Sequence, residues 1–218
     1  MIDTIGFIGL GNVGGKLAGS LLRNGIPLWV HDLDAGLVGD FVARGAVGDQ
    51  SPAAMMRVCD VVITCLPSPA ASASVMAEML PEMGPGKIWM EMSTTDADEI
   101  LRLGAEVEAM GGVAVECPVS GGCHRADTGN ISIFAGGPRS AVEAVMPLLK
   151  HLGRRILHTG DLGTASKLKV MTNYLATVHL VALCEAMTTM RAAGLDLATT
   201  YEAIRISSGT SFVHETES

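Results

Sequence analysis

Aromatic side chains are scarce in this chain: two tryptophans, two tyrosines and four phenylalanines, 4% of 218 residues. A platform for stacking nucleobases needs more than that, so single-strand binding is not expected. Basic residues are few and scattered. Fifteen Lys and Arg stand against 23 Asp and Glu, a formal net charge of −8, which argues against nucleic acid or an anionic membrane as the main partner. The five cysteines (Cys59, Cys65, Cys117, Cys123, Cys184) are odd in number and include no CxxC pair. They read as reduced thiols of a cytoplasmic protein, with neither a disulfide framework nor a metal site expected. No uninterrupted run reaches the ~18 apolar residues of a membrane-spanning helix. The amino terminus has Asp3 and glycines where a secretory leader has basic residues and an apolar helix, so no such leader is expected.

What the chain does have is apolar residues (48%) and 26 glycines, arranged as alternating short strand-like and helical segments. "TIGFIG", "IPLWVHD", "VVITCLP", "KIWMEMS", "VAVECPVS" and "ISIFAGG" read as strands. "GKLAGSLLRNG", "AASASVMAEML" and "DADEILRLGAEVEAMGG" between them read as helices. Such alternation implies an α/β fold with a mostly parallel sheet covered on both faces. "ISIFAGG" is taken to close the strand-rich part. From Thr164 to Ala193 there is neither glycine nor proline, so one long helix is expected, apolar on nearly all sides and therefore buried between domains or subunits. Asp196 is a candidate cap for a further helix, "DLATTYEAIRIS", and a polar tail follows. The expected domains are 1–162, a Rossmann-type dinucleotide-binding unit, and 163–218, the long interdomain helix and the start of an all-α domain.

Residues 9–14 (Gly9, Leu10, Gly11, Asn12, Val13, Gly14) form a GxGxxG pattern directly after a predicted strand and before a predicted helix. That context suits a dinucleotide pyrophosphate: glycines admit the backbone closely and the helix N-terminus favours the anion. Asp32 ends the second predicted strand, 18 residues after Gly14, near the offset where a carboxylate accepts hydrogen bonds from the adenosine ribose. A carboxylate there repels a 2′-phosphate, so NAD is favoured over NADP. Asp34 competes for the same role.

These motifs, with those further along, resemble the β-hydroxyacid dehydrogenase family, which includes 3-hydroxyisobutyrate dehydrogenase and tartronate semialdehyde reductase and is related to 6-phosphogluconate dehydrogenase. "FIGLGNVGGKLAGSL" resembles the opening GLGxMGxxMAxNL, departing at Val13, Leu17 and Ser20. "VVITCLPSP" and "MEMSTT" resemble cofactor-side segments, "CPVSGG" the substrate motif PVSGG, and "GDLGTASKLKVMTNYL" the motif GxxGxGxxxKxxNN. The resemblance implies Lys169 as general acid/base and Asn173 beside it as the catalytic pair. It implies Ser120, Gly121 and Gly122 as the carboxylate-binding loop, and Leu66, Pro67 and Thr94 along the cofactor. Ala165 and Thr172 stand where the family has glycine and the first asparagine. Cys117, Cys123 and His124 flank the substrate loop as candidates for tuning substrate choice. Relatives continue through further helices after the segment matching Ser207-Ser208-Gly209, so the natural protein is expected to extend past Ser218.

The residues support this reading on their own chemistry. Lys169 and Asn173 are i and i+4, on one face of a helix. A lysine on an apolar helix is costly unless paired or lowered in pKa, and either condition suits proton transfer. The expected function is hydride transfer between NAD(H) and a small β-hydroxy acid or its semialdehyde, by a homo-oligomer (dimer or tetramer). The alternative enzyme reading is an imine reductase-like protein, a group that shares the architecture but carries another residue at the lysine position. A non-catalytic dinucleotide-binding protein would not need Ser120, Lys169 and Asn173 together.

Overall fold

A computed structural model describes residues 2–48 and 51–216. The chain divides into two compact units, residues 1–169 and 170–218.

The first unit is an open sheet. Its strands are β1 (Ile5–Ile8), β2 (Leu28–His31), β3 (Val47–Gly48), β4 (Val61–Thr64), β5 (Ile88–Glu91), β6 (Val113–Glu116), β7 (Val119–Ser120), β8 (Ile131–Gly136) and β9 (Gly153–Gly160). The interleaved helices are α1 (Gly14–Arg23), α2 (Ala35–Ala43), α3 (Pro52–Val58), α4 (Pro69–Met79), α5 (Ala97–Ala109), α6 (Cys123–Asp127) and α7 (Arg139–Leu152). Strand order is β3-β2-β1-β4-β5-β6-β8-β7, with β9 paired to β8. From β3 to β6 every pairing is parallel, whereas β8 runs antiparallel to both β6 and β7. This is the Rossmann-type order, whose direction of winding reverses between β1 and β4 and leaves a crevice at the carboxyl ends of those strands.

Period-two alternation builds a core on each face of the sheet. Phe7, Val61, Ile63, Met90 and Val115 point to one side, against Leu17 and Leu21 of α1 and Val145 and Leu149 of α7. Ile8, Val62 and Trp89 point to the other, where Met55, Met56, Met76, Met79 and Met83 supply the partners. Unbranched methionines fill irregular gaps around one large indole, which explains their abundance in a chain poor in aromatics. Polar N-caps set the helix starts: Asp34, Ser51, Ser68 and Asp96 accept backbone N–H groups of α2, α3, α4 and α5.

Two strands escaped the sequence reading. β3 is only two residues long. β9, sequence GRRILHTG, follows α7 without a break and pairs parallel with β8, so "ISIFAGG" does not end the sheet. The exposed arginines and half-exposed Leu157 of β9 disguised its alternation. Charge of this kind suits a strand that pairs on one side only.

The long helix α8 (Thr164–Ala192) begins in the first unit and continues into the second, which also contains α9 (Leu197–Arg205) and α10 (Phe212–Thr216). Asp196 caps α9, accepting the Thr199 N–H at 2.8 Å. The expected polar tail instead forms α10, with Val213 and His214 buried and the His214 ring set edge-on to Tyr201 at 4.2 Å.

Within this chain α8 is largely exposed. Among its described residues only Ala165, Ser166 and Lys169 are buried, while Leu168, Val170, Met171, Tyr174, Leu175, Val178, Leu180 and Val181 are exposed. The apolar residues lie all round the helix, and the expected burial concerns surfaces of other domains or subunits. α8 also contains an 18-residue window of mean hydropathy 1.3. By length and composition it could cross a membrane, although its apolar residues form no uninterrupted run.

Candidate active site

At the carboxyl ends of the parallel strands, within the first unit, lies a cavity of about 800 Å³. The glycine loop forms its floor. Gly9 has φ +95°, and a Cβ there would collide with the Cys65 carbonyl. A Cβ on Gly14 would collide with the Gly9 carbonyl. Both glycines are therefore fixed by packing of strand, loop and helix. Gly11 differs: nothing lies within 4 Å of the position its Cβ would take, and it lines the cavity. A side chain there would take up ligand space. The N-terminus of α1 has no side-chain cap; its Gly15 N–H donates to the Gly11 carbonyl at 2.8 Å and its Lys16 N–H to the Val13 carbonyl at 3.1 Å, so what it offers an anion is its positive dipole end.

Asp32 lines the cavity at the end of β2. Its Oδ2 accepts the Leu10 N–H at 2.6 Å and its Oδ1 accepts the Asp34 N–H at 2.9 Å. Asp34 is used elsewhere, accepting the Gly36 N–H at 2.8 Å as the cap of α2. Leu10 differs from the other loop residues. Its side chain is buried in the core and only its N–H serves the site, through Asp32. Asn12 and Val13 line the cavity.

Leu66 and Pro67 after β4, and Ser93 and Thr94 after β5, form one wall. The Leu66 N–H donates to Ser93 Oγ at 2.7 Å, and the Ser93 N–H and Oγ–H both donate to Glu91. Glu91 is buried, and loss of solvent pushes its carboxyl above the ordinary range, against the pull of its Ser93 hydrogen bonds. Burial also pushes the Cys65 thiol up to about 12, and raises that of Cys117, which is buried in the core.

Ser120, Gly121 and Gly122 line the facing side. Gly121 has φ +124° and Gly122 φ +84°, and the Arg125 side chain packs where a Gly121 Cβ would point. These positive φ values favour glycine at both positions. Cys123 is exposed and lines the cavity beside it. Lys169 also lines the cavity, 8% exposed, and desolvation lowers its ammonium pKa below the ordinary lysine range. Asn173 follows one turn later on α8, among residues 170–218. No cluster of three His, Cys, Asp or Glu able to hold a metal occurs among the described residues.

Sequence reasoning missed two buried carboxyls, Glu91 and Glu116. Both end apolar strands, "IWME" and "VAVE", and pair in register across β5 and β6. A charged residue closing an apolar run in two neighbouring strands was the available signal.

Residues 4–160 match the family model described as the NAD binding domain of 6-phosphogluconate dehydrogenase. Residues 163–218 match that described as the NAD-binding of NADP-dependent 3-hydroxyisobutyrate dehydrogenase. The NAD-dependent L-serine dehydrogenase of Pseudomonas aeruginosa is 34% identical over 208 residues, 94% of this chain and 70% of that protein. The chain belongs to the β-hydroxyacid dehydrogenase family. Within that family, mitochondrial 3-hydroxyisobutyrate dehydrogenase of Mus musculus is 32% identical over 208 residues, 94% of this chain. The chain spans 62% of that relative's length. A solved 3-hydroxyisobutyrate dehydrogenase of Mycobacterium tuberculosis with L-serine superposes with a TM-score of 0.91 at 26% identity. That superposition covers 99% of this chain and 74% of the solved one.

Proposed function

We propose that this chain is the cofactor-binding portion of an NAD-dependent dehydrogenase or reductase acting on a small β-hydroxy acid or its semialdehyde. The observation that carries this is the convergence on one cavity of the glycine loop, Asp32, the Ser120–Gly122 turn and Lys169. The site fits a dinucleotide: open space over Gly11, an uncapped helix N-terminus and a carboxylate at the end of β2. When bound, a nicotinamide dinucleotide supplies a hydride acceptor or donor.

The chain's own residues do the rest. The glycine loop and the N-terminus of α1 hold the pyrophosphate. Asp32 accepts the ribose hydroxyls and repels a 2′-phosphate, which favours NAD. The family model described with NADP matches 163–218, outside the segment that contains Asp32. Leu66, Pro67 and Thr94 border the nicotinamide end. The Ser120 hydroxyl and the N–H groups of Gly121 and Gly122 bind the substrate carboxylate. Lys169 gives a proton to the carbonyl oxygen during reduction and, as neutral amine, takes the hydroxyl proton during oxidation. Its lowered pKa brings both forms closer to neutral pH. Asn173 holds the same oxygen or a neighbouring hydroxyl. The exposed apolar residues of α8 are assigned to the rest of a helical domain and to a second copy of the protein.

The test follows nicotinamide absorbance with L-serine, 3-hydroxyisobutyrate and related three- to five-carbon acids, using parent protein and Lys169→Ala. Turnover with at least one acid, lost in the variant while NADH still binds, is the expected result. NADH binding without turnover of any acid would favour the non-catalytic alternative.

A further inference from the structure

Glu116, at the end of β6, is fully buried. Its Oε1 accepts the Ala165 N–H at 2.9 Å and its Oε2 accepts the Ser166 N–H at 3.0 Å, with the Ser166 hydroxyl donating to Oε2 as well. All three donors lie in the first turn of α8, which starts at Thr164. Burying a carboxylate costs several kcal/mol unless its oxygens are well satisfied, and here three donors at a helix N-terminus satisfy it. An ordinary cap comes from the residue just before the helix. This one comes from 49 and 50 residues away.

The chain has also cleared space for it. Gly136 pairs with Glu116 across β8 and β6, and a Cβ there would stand 2.5 Å from Glu116 Oε1. The consequence is positional. Glu116 lies four residues before Ser120 on one side, and its contacts end three residues before Lys169 on the other. One carboxylate thus joins the strand leading to the Ser120–Gly122 turn to the start of the helix that carries Lys169.

We propose that Glu116 is the positioning residue that sets Lys169 against the Ser120–Gly122 turn, so that its substitution costs proton transfer rather than cofactor binding. This rests on the acid/base role given to Lys169. Glu116→Gln keeps the volume but brings an NH₂ group against a backbone N–H, whereas Glu116→Asp keeps the carboxyl group on a shorter arm.

The experiment compares both variants with parent and Lys169→Ala in the same protein. It measures NADH affinity, kcat and KM for L-serine and 3-hydroxyisobutyrate, and amide hydrogen exchange. For Glu116→Gln we expect kcat to fall about 100-fold, matching a small misplacement of a reacting group. NADH affinity should stay within threefold of parent, and amides of residues 165–169 should exchange at least tenfold faster while β1, β4 and β5 hold their protection. Glu116→Asp should recover at least a tenth of the lost rate. Parent-like kcat in Glu116→Gln, or equal losses of NADH affinity and kcat with protection lost across the whole sheet, would overturn the proposal. If Glu116→Gln does not fold, Glu116→Asp decides alone on the same split between kcat and NADH affinity. Retained turnover in Lys169→Ala would instead remove the reading on which the proposal stands, whatever Glu116 does.

Discussion

The Leu10 N–H donates to Asp32 Oδ2 at 2.6 Å, so the glycine loop and the end of β2 are one hydrogen-bonded unit. Leu10 is locked in the core by its side chain, and Asp32 is thereby held facing the cavity. The same carboxylate braces the loop and, in the proposed function, also accepts the ribose hydroxyls.

Asp32→Asn tests both together. A hydrogen bond to a charged group contributes about 1.5–3 kcal/mol, so NADH affinity should fall by roughly 10- to 100-fold. NADPH affinity should hold or rise, because the repelling charge is gone. Fluorescence titration with the two reduced cofactors measures the ratio, and an unchanged ratio would remove Asp32 from cofactor selection.

Gly11 and Gly14 should separate ligand space from packing. Gly14→Ala places a methyl against the Gly9 carbonyl, and overpacking of this kind costs about 1–3 kcal/mol. Gly11→Ala meets no protein atom and should leave the melting temperature nearly unchanged while weakening NADH binding at least tenfold. Thermal melts paired with NADH titrations test this. A stable Gly14→Ala protein, or a Gly11→Ala protein with parent affinity, would contradict the geometry.

Much of this arrangement is written locally. The strands β1, β4 and β5 are short apolar runs, and the loop glycines sit at fixed offsets from them, so the crevice and its contents can be read from spacing. Asp34 and Asp32 are two residues apart and chemically alike, and only the capping bond to Gly36 assigns them different work. Glu116 reaches Ala165 and Ser166 across about 50 residues, a separation no periodicity registers. β9 was hidden because Arg154, Arg155 and Leu157 face solvent. The apolar residues of α8 announced burial, but burial depends on what surrounds a helix, and that is not a property of its own sequence.

Glu91 predicts a pH effect on stability. Its carboxyl titrates above the ordinary range in the folded protein, so the unfolded chain ionises first. Between the two pKa values the folded state holds more protons, and stability falls as pH rises through that window. Glu91→Gln keeps an acceptor for the Ser93 N–H and hydroxyl but cannot ionise. Its urea midpoint should therefore decline less than that of the parent from acid to neutral pH. A parent-like slope would assign the decline to other groups.

Lys169 should show the opposing demands of chemistry and stability. Desolvation lowers its pKa in the folded state, so below the ordinary lysine range the unfolded chain binds the proton more tightly. The cost to the fold is greatest below the lowered pKa and is relieved as pH rises through it towards the unfolded value. Lys169→Met keeps the apolar stem and removes the ammonium. It should show a flatter dependence of stability on alkaline pH than the parent, yet be nearly inactive. The parent's two directions should respond oppositely to pH. Reduction uses the ammonium and should decline as pH rises through the lowered pKa, whereas oxidation uses the amine and should climb through the same point. Urea melts of both proteins, with initial rates in both directions across pH, measure all of this. A Lys169→Met protein whose stability varies with alkaline pH as the parent's does would assign that dependence to other groups. A parent whose two directions respond alike would place the proton-transfer group elsewhere.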